Sequence, residues 1–293
     1  MAELFYYIDP DNVQYLLNDG VNRYLAGFSG LGYEGGQQIV ERVPYLDGAD
    51  HKSMYTAVRE ISVVLDFVYD AQAELIEAER ALRAALNAYK DKDTPGVLRV
   101  ERAGTTRDIA AMLVAFAEAS ADRQVFNSRR ALVFHAHDPW FYDPTEVSEA
   151  WAMPTQSGMS IPMSIPLSFS ASVVTGYITV QNDGDVETWP VIRVDGPSDS
   201  PQITNTETGK AMKLTAGGGL LMDAGDYVDI DMENATVQWY DASAGTTTSV
   251  LSKVSSDSEF WPLVRGGNRI SILVANPAGG SVTVSFYNRF LSA

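Results

Sequence analysis

The side chains in this 293-residue sequence with chemistry to offer are a few histidines, an aspartate run and three tryptophans. His135-Ala136-His137 places two imidazoles two residues apart, on one face of a strand, where Asp138 or another acid would join them around a metal ion. A tetrahedral site needs further ligands at a diagnostic spacing, and none follows; the same spacing also describes a half-buried strand. Asp223, Asp226, Asp229 and Asp231 form an acidic run. Calcium takes about six to eight oxygens from a tight loop, whereas Asp229 and Asp231 flank Ile230 with period two, as on a solvated strand face. No metal is expected at either place. There is no Gly-x-Ser-x-Gly elbow and no phosphate-binding Gly-x-x-x-x-Gly-Lys-Ser/Thr. Gly217-Gly218-Gly219 has neither a following helix nor a basic partner, and reads as a turn. Carboxylates are too abundant for any pair to be singled out for glycoside hydrolysis. No cysteine is present, which removes thiolate nucleophiles, disulfides and Cys-ligated metals. No catalytic residue and no cofactor is therefore expected, and the chain is not expected to be an enzyme. Trp189, Trp239 and Trp261 remain as carbohydrate-binding candidates, since indoles stack on sugar rings; the alternative is that they anchor a core or an interface.

The formal charge of −17 is spread over both halves of the chain. Phosphate contacts need a basic footprint, so stable nucleic-acid binding is not expected. The start, Met1 to Pro10, lacks a basic segment and meets Glu3 early, unlike a secretory signal. The longest apolar run, Ile109 to Ala117, has nine residues, too few for a spanning helix, and no membrane insertion is expected.

The elements that would position these residues fall into two groups. Ile61 to Phe67 is β-branched and aromatic and reads as a strand. From Asp70 to Asp91 the period changes: Leu75, Ala78, Leu82, Ala85, Leu86 and Tyr89 recur at steps of three and four, one apolar stripe of a helix. Thr94-Pro95-Gly96 ends it, and Val97 to Glu101 returns to strand. Arg107 to Glu118 fits both periods. Its alanines favour helix, while Ile109, Leu113 and Ala117 also share a strand face. Arg130 to Tyr142 reads as a strand entering a turn at Asp138-Pro139. Residues 144–163, with Pro144, Pro154 and Pro162, read as an extended linker. Beyond it short strands alternate with Gly/Asn turns: Gly176 to Gln181, Val191 to Asp195, Lys210 to Leu214, Asp226 to Asp231, Thr236 to Tyr240, Asn268 to Ala275 and Ser281 to Tyr287. That spacing predicts a sandwich or jelly roll. The chain is thus expected to be mainly β: an α+β domain over 1–143 with one amphipathic helix, a linker over 144–163, and a β-sandwich over 164–293.

Several motifs also occur in a recognisable order. The first half has Arg42-Val43-Pro44-Tyr45-Leu46-Asp47-Gly48, Gly96-Val97-Leu98-Arg99-Val100 and Phe134-His135-Ala136-His137-Asp138-Pro139-Trp140. The second has Asn182-Asp183-Gly184-Asp185, Thr188-Trp189-Pro190, Asn205-Thr206-Glu207-Thr208-Gly209-Lys210 and Phe260-Trp261-Pro262-Leu263-Val264-Arg265-Gly266-Gly267-Asn268. This series resembles the distal tail proteins of long-tailed bacteriophages, over nearly the whole chain. The resemblance implies a virion structural protein made in the host cytoplasm, with no catalytic residues to transfer. Its first domain would close a homohexameric ring, and its second would be a galectin-like sandwich outside that ring. The ring would join the tail tube protein to the tail-tip or baseplate hub and its receptor-binding proteins. On this reading Arg107 to Glu118 is a strand. DNA would pass through the ring, and acidic side chains lining it would repel phosphates. The alternative function is a carbohydrate-binding module that attaches the particle to host glycans. A glycosidase with a sandwich appendage is a third reading.

Overall fold

The computed structural model describes residues 3–32, 36–41, 50–87, 94–118, 127–154, 173–275 and 279–293. The motif at 42–48, residues 155–163 of the expected linker and the last residues of the expected helix lie outside them. The chain divides into two compact units, residues 1–144 with 290–293, and residues 145–289.

In the first unit, strands β1 (Leu4–Ile8), β2 (Gln14–Leu16), β3 (Arg23–Ser29), β6 (Arg59–Val68), β7 (Gly96–Arg102), β8 (Thr105–Glu118) and β9 (Asn127–Ala136) form one antiparallel sheet in the order β2-β1-β7-β8-β9-β6-β3. A separate ribbon pairs β4 (Gln37–Glu41) with β5 (Asp50–Tyr55), and a short β10 (Phe141–Tyr142) pairs with β8. The pattern of β6 shows why this sheet forms: Ile61, Val63, Leu65 and Phe67 are fully buried, while their neighbours lie on the other face. Strand β8 settles the ambiguity of residues 107–118. It is held on both sides, by β7 from Gly96↔Ala111 to Arg102↔Thr105 and by β9 from Met112↔His135 to Glu118↔Arg130. A two-residue turn, Ala103-Gly104, with φ of +50° and +89°, joins β7 to β8 and sets that register. Pairing on two edges overrides the helical propensity of the alanines.

The helix α1 (Gln72–Asn87) follows β6. Leu75, Leu82 and Leu86 of the expected stripe are buried against the sheet. Glu79 shares their face and is buried too. Arg130 of β9 donates two hydrogen bonds to it, of 2.9 and 2.8 Å, and Ser128 donates a third. Burial works against the charge of Glu79, but the bonds from Arg130 and Ser128 outweigh it and hold the carboxyl below its ordinary range.

Arg59, at the start of β6, is another buried charge in this unit, 4% exposed. Its guanidinium donates to four backbone carbonyls: Pro139 at 2.7 Å, Gly30 at 3.0 Å, Gly32 at 2.8 Å and Leu291 at 2.9 Å. It also lies 4.9 Å over the Phe141 ring. The chain end is thereby tied into the first core, and the Ala293 amide donates to the Leu31 carbonyl at 3.1 Å.

The second unit is a sandwich of two antiparallel sheets. One contains β11 (Val147–Ala152), β13 (Val191–Asp195), β17 (Tyr227–Asp231), β18 (Thr236–Asp241), β19 (Thr246–Ser249) and β21 (Ser281–Phe286), in the order β11-β21-β13-β17-β18-β19. The other has β12 (Val173–Asn182), β14 (Ser198–Asn205), β15 (Ala211–Lys213) and β20 (Gly266–Ala275) in the order β12-β20-β14-β15, with β16 (Leu221–Met222) also on β14. Ile178, Val180, Ile192, Val194, Val228, Ile230, Ile270 and Ile272 are among the alternate residues that fill the space between the sheets. Each strand expected after residue 164 is present, with ends shifted by a few residues. Four others were not expected: β11, β14, β16 and β19. Strand β11 lies inside the segment read as linker, so that reading does not describe residues 147–152. The final residues, 290–293, belong to the first unit rather than to the sandwich.

Candidate functional site

The tryptophans take core positions more than surface ones. Trp261 is fully enclosed, so it is not a sugar platform. Trp239 follows the buried Val237 by two residues and points to the same inner face of β18. The indole N–H groups of both are buried and meet no acceptor among the described residues. Trp189 is half-buried against the same core. Their hydrophobic area, not their stacking capacity, explains the placement.

The acidic run is consumed by turns and one ion pair. Asp226 is buried and accepts the amides of Asp223 at 3.0 Å and Ala242 at 2.9 Å. Asp231 accepts the amides of Glu233 and Asn234, both at 2.9 Å. Asp229 takes a bidentate bond from Arg193. His135 lies 3.3 Å from Glu60 of the paired strand β6. Among the described residues, no group of three His, Asp or Glu side chains is placed to hold a metal ion.

What the second-half motifs do is hold one end of the sandwich together. Asn182, Asn205, Asn268 and Asn288 are all buried. Asn182 donates to the carbonyls of Val186 at 2.9 Å and Leu263 at 3.3 Å and accepts the Gly184 amide at 3.0 Å. Asn268 accepts from Asn205 at 3.2 Å and from the Val264 amide at 3.0 Å, and donates to the Val264 and Gly266 carbonyls at 2.7 and 3.0 Å. Asn288 accepts the Asp183 amide at 3.1 Å. Between them Thr188 and Leu263 exchange two backbone bonds, of 3.0 and 2.7 Å. The Thr-Trp-Pro and Trp-Pro-Leu motifs are thus adjacent strands of one small bridge. A buried amide must satisfy donors and acceptors together, which only Asn does at this reach.

Surfaces suited to assembly lie in the first unit. The β4–β5 ribbon pairs only with itself among the described residues. Two strands alone are marginal in water. Yet Ile39, Val40, Met54 and Tyr55 are each about half exposed, at 49%, 54%, 50% and 50%. Met54 and Tyr55 are consecutive, so both faces of the ribbon carry apolar area. The outer edges of β2 and β3 are also unpaired among the described residues. Near them, Tyr15, Arg23, Tyr69, Ala78, Ala81, Leu82 and Ala85 line a shallow groove of about 300 Å³.

Comparison with known proteins agrees with this picture. Residues 183–290 match the family model of the siphovirus-type tail component, C-terminal domain. A crystal structure of the Dit (gp 19.1) protein of phage SPP1, described as a paradigm of the hub adsorption apparatus in phages infecting Gram-positive bacteria, superposes with a TM-score of 0.66. It is 16% identical, over 99% of this chain and 100% of that one. The phage P2 baseplate in its activated conformation with calcium contains a chain that is 9% identical, with a TM-score of 0.49, over 97% of this chain and 98% of that one. No curated protein matches. The whole chain thus shares the fold of that Dit protein, and residues 183–290 match the siphovirus-type tail component, C-terminal domain.

Proposed function

We propose that this protein closes a homohexameric ring between the tail tube and the tail-tip or baseplate hub, leaving a channel for DNA. The β4–β5 ribbon carries this reading. A closed ring needs two different, complementary faces on each subunit. The ribbon supplies a projecting apolar face that its own unit leaves uncovered. The groove between Tyr15, Tyr69 and α1, beside two unpaired strand edges, is the complementary face on the neighbour. Burying half of four apolar side chains per contact, repeated around the ring, is a driving force of the usual hydrophobic kind. The net charge of −17 fits a passage through which DNA moves without being held.

Native mass spectrometry of the purified chain tests the reading, alone and with tail tube protein. A six-fold species is expected, and Val40→Asp with Met54→Asp should reduce it to monomer while leaving the fold intact. A wild-type chain that stays monomeric even with its tube, or a double variant that assembles normally, would refute it. So would a ring whose bore is dominated by Lys and Arg.

A further inference from the structure

The outer face of the six-stranded sheet in the second unit carries an arrangement that lies outside the two faces proposed above for the ring. The register aligns two neighbouring rows of side chains across five strands. One row is Ser281, Asp195, Tyr227, Tyr240 and Thr247, and the other is Thr283, Arg193, Asp229, Gln238 and Ser249. All lie on the face opposite the buried Val194, Val228, Ile230, Val237, Val282 and Val284. Arg193 donates from Nε and one terminal nitrogen to the two oxygens of Asp229, both at 2.7 Å. The same guanidinium sits 4.2 Å over the Tyr227 ring, and Tyr227 stacks on Tyr240 with centroids 4.9 Å apart and an interplanar angle of 20°.

We propose that this face binds an uncharged glycan, with Tyr240 as the stacking platform and the Arg193–Asp229 pair and Gln238 as the hydrogen-bonding edge. Strand order puts Arg193 and Tyr240 on opposite sides of Tyr227, and on the far side of Tyr240 the next residue in the row is the small Thr247, which leaves that side of the ring to a ligand. The Arg193–Asp229 pair holds the first two members of the stack, so the platform is preorganised before any ligand arrives. A sugar presents hydroxyls that both donate and accept. The face answers with guanidinium N–H groups, carboxylate oxygens, one carboxamide, and the hydroxyls of Ser281, Thr283, Thr247 and Ser249. From Arg193 on β13 to Tyr240 on β18 is two strand spacings, roughly 10 Å, the span of about two sugar units. Charge narrows the class. Arg193 is the one cation in the two rows and is neutralised by Asp229, while Asp195, and Asp231 beyond the second row, leave the face net negative. Polyanionic wall polymers are therefore disfavoured and neutral chains are not. This goes beyond the ring reading and is independent of it, since the residues concerned are all on the sandwich.

The test uses the full chain on an array of glucose-, galactose- and N-acetylglucosamine-containing oligosaccharides beside phosphate-bearing and uronate-bearing ones. Titration calorimetry follows on the best neutral binder. Tyr240→Ala and Arg193→Ala should each weaken that binder at least about tenfold. Tyr177→Ala supplies the control. Tyr177 is an exposed ring on the opposite sheet that also carries an arginine, Arg269, 4.0 Å above it. Its loss should leave affinity unchanged. Tyr240→Phe keeps the platform and should retain most of the binding, which separates loss of stacking from loss of folding. The proposal is overturned if no neutral glycan binds, if anionic ones or a basic protein partner bind in their place, or if Tyr177→Ala is as damaging as Tyr240→Ala.

Discussion

Replacing Arg59 by Met keeps much of the aliphatic stem and removes the guanidinium. Four backbone carbonyls then lose their donor: those of Gly30, Gly32, Pro139 and Leu291. Each such bond contributes about 1 kcal/mol net, with more for charged donors, and the contact over Phe141 adds up to about 1 kcal/mol. The expected loss is about 4–5 kcal/mol, similar to that for breaking other buried charge contacts. It should fall on the first unit alone, because every acceptor belongs to that unit. Native-state hydrogen exchange separates the two units. Protection of the amides of Ile61 to Phe67 should drop about a thousandfold, the kinetic image of about 4 kcal/mol. Amides of Val191 to Asp195 in the sandwich should be unaffected. Arg59→Lys retains the charge but replaces a planar fork by a point, and should fall between. If Arg59→Met lowers protection in β6 by less than about fivefold, roughly 1 kcal/mol, the carbonyl clamp is not what closes this core.

Other perturbations follow from the same structure. The carboxyl of Glu79 is held below its ordinary value, so its contribution is present above the unfolded value of 4.5 and is lost as pH falls through the folded one. Glu79→Gln should therefore flatten the acid limb of a urea-stability profile of the first unit, and an unchanged limb would refute the assignment. Asp19 accepts the amides of Val21, Asn22 and Arg23 and the side chain of Arg23; burial opposes its charge, but these bonds bring it down to about 2. Its stabilisation is present above 3.8 and lost as pH falls towards 2. Asp19→Ala should cost about 1–2 kcal/mol at neutral pH and little near pH 2, as read by denaturant midpoints. A side chain at Gly176 would run into the Trp151 ring. Gly176→Val should thus displace β11, seen as a red shift of tryptophan emission and new proteolysis between 145 and 154; an unshifted spectrum would contradict it. Asn268→Leu keeps the branching pattern but strands the Asn205 amide and the Val264 groups, and should cost about 3 kcal/mol or more in sandwich stability by calorimetry.

Much of the architecture was legible from periodicity. Ile61 to Phe67 and Val191 to Asp195 alternate because one face meets a core, and Leu75 to Leu86 repeats every three or four residues for the same reason. What escaped was held by ladders rather than by side chains. Strand β19 is Thr-Thr-Thr-Ser at a sheet edge, β14 carries Pro201 beside a register shift, and β11 sits in a Pro-rich neighbourhood. Strands β11 and β19 bury too little on one face to leave a pattern, and in β14 the buried positions fall on Ser198, Pro201, Ile203 and Asn205, which do not read as one apolar face. The candidate site was less legible still. Composition shows that Trp261 is large and apolar but not which way it faces. The approach of Arg193, Asp229, Tyr227 and Tyr240 depends on a register spanning nearly fifty residues of sequence. The second-half asparagines were visible as motifs, yet their role requires knowing that Thr188 bridges Leu263.

The return of residues 290–293 to the first unit means that a unit begun before the sandwich is completed only after it. Strands β1 to β9 precede the sandwich, but Arg59 waits for the Leu291 carbonyl and Leu31 for the Ala293 amide until the residues beyond the sandwich have been made. The sandwich, whose residues are contiguous from 145 to 289, has no such wait. Folding order is then the reverse of the order in which the units are made, against the usual tendency of amino-terminal domains to finish first. A polypeptide cut before residue 290 therefore lacks the contacts that close its first unit, while the sandwich keeps all of its own residues.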